Sequence, residues 1–481
     1  MIVLVAVAVA IINFEREGGR PMRWTPSYYF EIDMKLNTSD IFLEPVGDEL
    51  GLSDANQVYV MYSPLTEGLA LVSGEDAARI IACARSPEGT EDHEVMELIA
   101  EMTPERMPSV EDLTPLEKTA KLSVLPNLTC NFSCSYCYSA KGRSKTVIEW
   151  GKVKAVLDYF IDEKRLEPQP LSIFISGGGE PLLSWNIVER LLEYAGTRAK
   201  EKGYPLYMSV VTNGSLLTED IADSLKRHDS SVCISFEVLR DLQDGQRNHY
   251  SQVRSNLLML GEKGVRTMVN STITPKSVLR MTEMVEEVVK SYPYVAQYTM
   301  EPVTGWEMFS SPDDMRRFYD HFYEEYLRCK EIAERNDLNL RFTFDDSFRG
   351  ITLRHCPGQF ALTPSGTISA CHLTSSPKES RYERCVYGRV TDSGEIEMDK
   401  DKFKALRDIN VYAYERCSDC FAKWICGGEC MARNDAYPEE YMKEVCRFNR
   451  RFVKHVLIEE LRRTVFEETG LSLEEYVKEG L

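Results

Sequence analysis

The sequence predicts an α/β protein built on an open partial barrel of six β/α units, with a small α+β module before it and a cysteine-rich domain after it. Three observations lead to this fold class. Short β-like runs alternate with helical segments between residues 121 and 303. A hairpin signal followed by helical patterns precedes them, and a stretch with many cysteines and little periodicity follows.

Composition limits the classes of function. The chain has 481 residues, enough for several domains with a sizeable core. Its formal net charge is −19, from 57 Lys and Arg against 76 Asp and Glu. This acidity argues against nucleic acid as a partner, because phosphate binding needs a basic surface. The 14 cysteines are too few for a small disulfide scaffold, and their close spacing suits metal, so we expect a reduced, cytoplasmic protein.

Residues 1–21 form an uncertain extension. Ile2–Ile12 is almost entirely apolar, but it is too short to span a bilayer. No Lys or Arg precedes this run, as a signal peptide would require, and we expect no membrane association. Two interpretations remain open: the true start is Met22, or the run is a buried strand.

Residues 22–110 are expected to form the α+β module, and the barrel is expected at residues 116–310. The predicted elements of the module are a strand at Tyr28–Met34, a hairpin of Val58–Tyr62 and Leu69–Val72, and helices at Glu75–Arg85 (N-cap Ser73) and Glu91–Met102. The predicted barrel strands are Lys121–Leu125, Leu171–Ile175, Tyr207–Val211, Val232–Phe236, Thr267–Thr274 and Gln297–Pro302. Such β/α repeats imply a parallel sheet with right-handed crossovers, whose carboxyl-end loops carry the site.

Three segments are expected after the barrel. Residues 311–350 read as a helical bridge, and residues 351–450 read as a cysteine-rich domain in which metal replaces part of a hydrophobic core. Residues 451–481 read as the end of a long helix that begins near Glu439.

The first cysteine motif follows the first barrel strand. Cys130, Cys134 and Cys137 are spaced C-x3-C-x2-C. Three thiolates can hold three irons of a cubane and leave the fourth iron open to a substrate or cofactor. A zinc knuckle is the alternative, but zinc sites close with a fourth Cys or His, and none stands at a natural spacing.

With Tyr136 before its third cysteine, this motif resembles the signature of the radical S-adenosylmethionine (radical SAM) superfamily. The resemblance implies a [4Fe-4S] cluster whose open iron is chelated by S-adenosyl-L-methionine. An electron from a flavodoxin- or ferredoxin-type donor then cleaves this cofactor, and a 5′-deoxyadenosyl radical removes hydrogen from the substrate.

Later residues resemble the cofactor-binding motifs of the same family. Gly177-Gly178-Gly179-Glu180-Pro181 is similar to the GGEP motif, which implies SAM contacts for Gly178, Gly179 and Glu180. Thr212-Asn213-Gly214 is similar to a TNG motif, and Ser235 and Arg247 resemble a SAM-contacting pair. Glu237 departs from the usual Ser-x-Asp-Gly pattern, so contact with SAM ribose, contact with substrate and simple solvation all stay open for it.

The downstream cysteines resemble the seven-cysteine pattern of the SPASM domain, which holds auxiliary [4Fe-4S] clusters. The resemblance implies three clusters in all. The implied ligands are Cys417, Cys420, Cys426 and Cys446 for an outer cluster and Cys356, Cys371 and Cys430 for an inner one. The inner cluster lacks one ligand, so we expect an open iron there, or else His355 or Asp346 as the fourth ligand.

Several cysteines and histidines lie outside these motifs. Cys83 and Cys233 lie in apolar patterns typical of a core, Cys329 is expected on a helix, and Cys385 stays ambiguous. No catalytic acid or base is identified, and the candidates are Glu237 and His372. His372 stands where sulfatase maturases, which make formylglycine, carry a catalytic Asp, and this argues against that reaction.

The resemblance implies a maturase that modifies a ribosomally made precursor peptide with a leader. The N-terminal module is similar to the winged-helix element that binds leaders as an added strand, a plain capping domain being the alternative. The leading hypothesis is a cross-link, first a thioether with the acceptor sulfur at the open inner iron, next a carbon–carbon bond. The alternatives are oxidation of a protein Ser or Cys and a non-catalytic iron–sulfur electron carrier.

Overall fold

The computed structural model describes residues 34–35, 40–52, 58–85, 92–344, 350–356 and 359–480. The apolar run Ile2–Ile12, Met22 and Asp346 lie outside the described residues, as does all of the predicted strand Tyr28–Met34 except Met34. Among the described residues, no helix is both long and apolar enough to cross a membrane.

The N-terminal module is a four-stranded antiparallel sheet with two helices. Its elements are β1 Met34–Lys35, β2 Phe42–Pro45, β3 Val58–Ser63, β4 Gly68–Ser73, α1 Gly74–Arg85 and α2 His93–Glu101. The strands lie in the order β1-β2-β3-β4, and the predicted hairpin is β3–β4. Ser73 accepts the backbone N–H of Asp76 at 3.1 Å and so caps α1 as predicted. Strand β2 was not predicted.

The barrel follows with six parallel strands in sequential order. Its strands are β5 Lys121–Val124, β6 Leu171–Ile175, β7 Leu206–Thr212, β8 Ser230–Ser235, β9 Thr267–Ile273 and β10 Gln297–Pro302. Its helices are α3 Trp150–Phe160, α4 Trp185–Lys202, α5 Glu219–Arg227, α6 Arg240–Gln246, α7 Tyr250–Lys263 and α8 Met281–Ser291. The α/β fold class and the six-strand expectation are therefore confirmed, because each strand pairs in parallel with the next.

The strands that follow the barrel extend its sheet at both edges, and helices lie between and after them. They are α9 Pro312–Arg335, β11 Leu340–Arg341, β12 Phe360–Leu362, β13 Thr367–Ser369, α10 Tyr382–Cys385, β14 Val386–Val390, β15 Ile396–Met398, α11 Lys400–Arg407, α12 Lys423–Cys426, α13 Met431–Ala436, α14 Glu439–Thr469 and α15 Leu473–Gly480. Strand β12 pairs in parallel with β5, and β12–β15 continue antiparallel. The cysteine-rich region thus shares one sheet with the barrel.

The long helix α14 holds the C-terminal region together. It packs on α9 through aromatic rings, including Tyr319 against Phe448 at 4.4 Å between ring centroids. The sequence-based domain boundaries stay predictions, and α14 continues across the one at residue 450.

Candidate functional site

The first cysteine motif lies in the loop that follows β5, at the carboxyl edge of the parallel sheet. The backbone N–H of Phe132 points at Cys130 Sγ at 3.4 Å. Arg143 donates from Nη2 to Cys137 Sγ at 3.3 Å and from Nη1 to the Phe132 carbonyl at 2.5 Å. Burial raises the pKa of Cys134, and the neighbouring charges of Cys137 and Cys130 raise it further, so the three thiols share one small volume.

A zinc ion and an iron–sulfur cluster make different demands on these thiols. Zinc donors all lie at about 2.0–2.3 Å from one ion. In a cubane each thiolate binds a different iron. The half-buried thiols, with a cation donating to one of them, suit an anionic iron–sulfur cluster.

The glycine loop after β6 presses against the backbone that leads into the cysteine loop. A Cβ on Gly179 would lie 2.0 Å from the Thr129 carbonyl oxygen, and one on Gly178 would lie 2.7 Å from that of Asn127. Gly177 and Gly178 also adopt positive φ angles of 81° and 68°, which favour glycine. The run of glycines therefore permits a close approach of two loops at the predicted SAM site.

Glu180 connects the ends of two strands. Its Oε1 accepts from Thr212 Oγ1 at 2.6 Å and from the Leu182 N–H at 3.0 Å, and its Oε2 accepts from the Asn213 N–H at 2.8 Å. The side chain is buried, and burial raises its pKa despite these donors. Both oxygens thus position the loops after β6 and β7, while a SAM contact for Glu180 stays a prediction.

Asn213 joins the third strand end to the cysteine loop. Its Nδ2 donates to Asn131 Oδ1 at 2.9 Å and lies 4.0 Å from Cys130 Sγ. The Thr212-Asn213-Gly214 motif is therefore in contact with the loop that carries the first cysteine.

Tyr136, Glu237 and Arg247 form a buried cluster beside Cys134. Arg247 Nη1 donates to the Tyr136 hydroxyl at 2.7 Å and lies 3.5 Å from Glu237 Oε1, and the Tyr136 hydroxyl donates to the same carboxylate. Glu237 is 0% exposed, so the interpretation that its side chain is simply solvated is wrong. Ser235 is half-buried at the end of β8, two residues before Glu237.

The outer cysteines come together around α12 and α14. Burial, with a contribution from Cys446, raises the pKa of Cys420 to about 12 and that of Cys417 to about 11. Burial also raises the pKa of Cys426, and Glu429, Cys420 and Cys446 contribute to that shift. Cys446 therefore lies near the other three predicted thiols, and their role as ligands of one cluster stays a prediction.

A buried carboxylate and an amide support this outer set. Asn449 donates to Cys426 Sγ and to Glu429 Oε2, and Arg433 Nη1 donates to Glu429 Oε1 at 3.1 Å. Burial alone would raise the pKa of Glu429, but Arg433 and His355 lower it to about 2, so the group stays charged.

The inner set gathers at the junction of three segments. The His355 N–H donates to the Gly427 carbonyl at 2.8 Å, which brings Cys356 to the loop that carries Cys430. Burial, with contributions from Cys385, Cys430 and Cys356, raises the pKa of Cys371 to about 12. Cys371 therefore lies near Cys385 as well as near the other two predicted inner thiols, and the role of these thiols as cluster ligands stays a prediction.

Arg354 is the buried cation of the inner set. It is 5% exposed, and among the described residues its Nη1 has no hydrogen-bond partner. Burial lowers the pKa of Arg354, whereas the charges of Cys356 and Cys385 oppose that shift. A buried guanidinium with an unused donor among thiols fits an anionic cluster at this position.

The two candidate histidines face different directions. His372 Nδ1 lies 3.0 Å from Gln359 Oε1, and burial lowers the pKa of His372 to about 4. Its carbonyl oxygen would lie 3.2 Å from a Cβ on Gly177, so His372 sits between the inner cysteines and the glycine loop. His355 Nδ1 contacts the Cys426 carbonyl at 3.2 Å, towards the outer set.

Arg143, Arg354 and Asn449 were not predicted as site residues, and Cys385 was left ambiguous. None of the four carries a spacing motif of its own. An arginine six residues after Cys137 and one two residues before Cys356 were available as signals, since cations beside cysteine thiolates stabilise their charge.

Residues 124–288 match the Radical SAM superfamily. The chain contains a radical SAM domain. The match begins at the end of β5 and includes the first three cysteines, the glycine loop, Ser235 and Arg247. It confirms the resemblance of the first cysteine motif to the radical SAM superfamily.

Related sequences cover different parts of the chain. The radical SAM cyclopropyl synthase TigE of Paramaledivibacter caminithermalis is 30% identical over 25% of this chain and 28% of its own length. An uncharacterised protein of Methanocaldococcus jannaschii is 25% identical over 33% of this chain and 55% of its own. The chain thus matches about half or less of these relatives. A cysteine-type anaerobic sulfatase-maturating enzyme of Clostridium perfringens is 22% identical over 64% of this chain and 87% of its own.

The fold of the chain is also similar to a solved structure. Native anSMEcpe, solved with bound AdoMet and the Kp18Cys peptide, superposes with a TM-score of 0.57 at 16% identity. The similarity covers 70% of this chain and 98% of that one. It confirms the fold class.

Proposed function

We propose that this protein is a radical SAM peptide maturase that installs a cross-link in a ribosomally made precursor peptide. The observation that carries the proposal is the assembly of Cys130, Cys134 and Cys137 against the glycine loop of a radical SAM domain. A second cysteine-rich region on the same sheet adds sites for two auxiliary clusters, which gives about twelve irons in all for three cubanes.

The chain's own residues bind and orient the cofactor in this proposal. When bound, the first cluster and SAM supply a carbon-centred radical that removes hydrogen from an unactivated carbon. The backbone of Gly178 and Gly179 would receive the amino end of SAM, as the similarity of this loop to the GGEP motif implies. Arg247, held by Glu237 and Tyr136, would contact the cofactor together with Ser235, as the resemblance implies.

A peptide substrate is supported by a neighbour and by the N-terminal module. The neighbour anSMEcpe was solved with a peptide bound. In this chain, the short strand β1 lies at one edge of the module's sheet, where a leader peptide would add as a further strand through main-chain hydrogen bonds.

Two bonds are proposed for the cross-link. A thioether is the first candidate, formed when a cysteine sulfur of the peptide joins the carbon radical. A carbon–carbon bond is the second, and it is favoured by the relative named a cyclopropyl synthase. In both cases the peptide loses two hydrogens, one as the abstracted atom and the other as a proton and an electron that an auxiliary cluster takes up.

The test is anaerobic incubation of the reduced protein with SAM and the precursor peptide encoded beside its gene. We expect release of 5′-deoxyadenosine and a peptide lighter by two hydrogens. A thioether consumes one iodoacetamide-reactive thiol, whereas a carbon–carbon bond leaves the thiol count unchanged. A mass that is unchanged in H2O but higher by one deuterium in D2O indicates epimerisation and contradicts the proposal.

Oxidation of a protein Ser or Cys is the alternative, and the long alignment with the sulfatase-maturating enzyme favours it. His372 stands where that class has its catalytic Asp, which argues against it. An aldehyde-reactive hydrazide separates the two outcomes, because only formylglycine reacts with it.

A further inference from the structure

The inner cysteine set has three thiols assigned by resemblance and a fourth thiol supplied by the fold. We propose that Cys385 is the fourth protein ligand of the inner auxiliary cluster, so that this cluster has no open iron in the resting protein. The inference rests on the proposed auxiliary clusters, and it concerns a residue that no cysteine-spacing pattern in this chain includes.

The first support is the position of Cys385 beside Cys371. The backbone N–H of Ala370 donates to the Cys385 carbonyl at 2.9 Å. The adjacent residues continue this pairing, since Ser369 of β13 lies opposite Val386 of β14. Cys371 follows the end of β13, and Cys385 directly precedes the start of β14. The two cysteines therefore lie at the same end of this antiparallel strand pair.

The second support is the docking of helix α10 on the helix that follows Cys430. Arg381 Nη1 donates to the Ala432 carbonyl at 2.8 Å, and Arg384 forms an ion pair with Asp435. Both contacts join the turn that ends at Cys385 to α13, whose N-cap is Cys430. Cys385 is thus fixed between the segments that carry two of the inner ligands.

The third support is the burial of the Cys385 thiol beside an unpartnered hydroxyl. Cys385 is 0% exposed. The hydroxyl of Thr374 lies beside this thiol and makes no hydrogen bond to nitrogen or oxygen in the described part of the chain. Arg354, two residues before Cys356, is a buried cation whose Nη1 also has no hydrogen-bond partner among the described residues.

The rival ligand His355 is less well placed. Its Nδ1 contacts the carbonyl of Cys426, a ligand of the outer set, and its charge acts on Glu429. Asp346, the other rival, lies outside the described residues.

Ligation of Cys385 changes the proposed chemistry. The thiol loses its proton to solvent as the sulfur–iron bond forms, and no electron is transferred in this step. A peptide sulfur then has no vacant inner iron to bind. Electron transfer is then the remaining role of the inner cluster. A thioether would form when a peptide sulfur attacks the carbon radical directly and an auxiliary cluster takes up the electron.

The test uses the full chain with Cys130, Cys134 and Cys137 changed to Ala, so that only the auxiliary clusters contribute, about eight irons. This parent is compared anaerobically with versions that add Cys385→Ala, Cys385→Ser, His355→Ala or Cys329→Ala. Cys329, in α9, is equally buried and serves as the matched control for loss of a core thiol. The readouts are iron and sulfide content, and EPR spectra after mild oxidation with ferricyanide.

We expect the parent and the Cys329→Ala version to keep their four-iron clusters through oxidation. Cys385→Ala should lose one iron and show a three-iron EPR signal, or lose the inner cluster while the outer one remains. Cys385→Ser should keep the fold and shift the inner cluster's spectrum and potential, which decides the matter if the Ala version does not fold.

Three results would overturn the inference. One is a three-iron signal from the parent itself, which means that an iron is open without any mutation. Another is a spectrum unchanged by Cys385→Ser. The third is iron loss in His355→Ala but not in Cys385→Ala. None of these readouts involves peptide modification, so failure here is distinct from failure of the proposed function.

Discussion

The side-chain amide of Asn449 donates a hydrogen bond to Cys426 Sγ at 3.4 Å, and the same nitrogen donates to Glu429 Oε2 at 2.6 Å. This geometry links Cys426, a proposed ligand of the outer cluster, to a buried, charged carboxylate. Hydrogen bonds to sulfur stabilise the more negative, reduced state of a cluster and so raise its potential.

We therefore expect Asn449→Leu to lower the reduction potential of the outer cluster. The change also removes a donor from Glu429 and should cost about 1–3 kcal/mol of unfolding free energy. An EPR-monitored redox titration measures the first effect and anaerobic denaturation the second. Asn410→Leu is the control, since among the described residues the Asn410 side chain bonds to backbone groups of Arg407 and Tyr412 and to no cysteine. Equal potentials in both variants would contradict the prediction.

Arg143 supports the first cluster through two donors, one to Cys137 Sγ and one to the Phe132 carbonyl. Arg143→Met should weaken iron retention at this site by roughly 10–100-fold, the usual effect of losing a residue that orients a ligand. Iron analysis should show loss of about four of about twelve irons, with the auxiliary clusters intact. Arg190→Met, which removes a guanidinium stacked on Trp150, should change neither iron content nor SAM cleavage.

Gly179 permits the close approach of the glycine loop to Thr129. In Gly179→Ala the new Cβ would lie 2.0 Å from a backbone oxygen, so the loop must move. We expect loss of the SAM-induced change in the EPR spectrum of the reduced protein. Gly196→Ala is the matched control, because its Cβ would lie 3.8 Å from Met208 and a helical Ala should leave stability unchanged or raise it by about 1 kcal/mol.

Asp40 joins the N-terminal module to the cysteine-rich region. Its Oδ2 accepts from Trp424 Nε1 at 2.8 Å and pairs with Lys423 Nζ at 2.7 Å, and both partners are buried. Asp40→Asn removes the negative charge that faces Lys423 and should cost about 3–5 kcal/mol.

Limited proteolysis of this variant should release the N-terminal module faster than in the parent. The control is Glu49→Gln, which breaks the more exposed 2.7 Å pair with Lys454 and should cost only about 0–1 kcal/mol. Similar release from both variants would show that the buried pair has no special role.

Local sequence pattern was sufficient for the barrel but not for the sheet as a whole. The strands Leu171–Ile175 and Gln297–Pro302 were predicted at their observed bounds, because continuous apolar or alternating runs between helices leave little choice. Strands β12 and β13, with three residues each, carry too few side chains for any period. Strand β12 joins the sheet by pairing with β5, more than two hundred residues away, and β13 pairs with β12.

The candidate site divides in the same way. Glu237 was read with three possible roles, and only its burial beside Arg247 excluded solvation. Cys385 looked ambiguous because no neighbour in sequence marks it. Its closeness to Cys371 results from a hairpin, and its closeness to Cys430 results from the contact of two short helices.

The sequence by itself determined the chemistry of this protein: the spacing of its cysteines and glycines sets how many thiolates can reach one cluster and where backbone can approach a cofactor. The tertiary structure decided which buried charges, amides and further thiols surround those sites. The physical reason is that ligand spacing within one loop is a local property of the chain, whereas burial, potential and a closing ligand depend on segments that meet only when the sheet and helices pack.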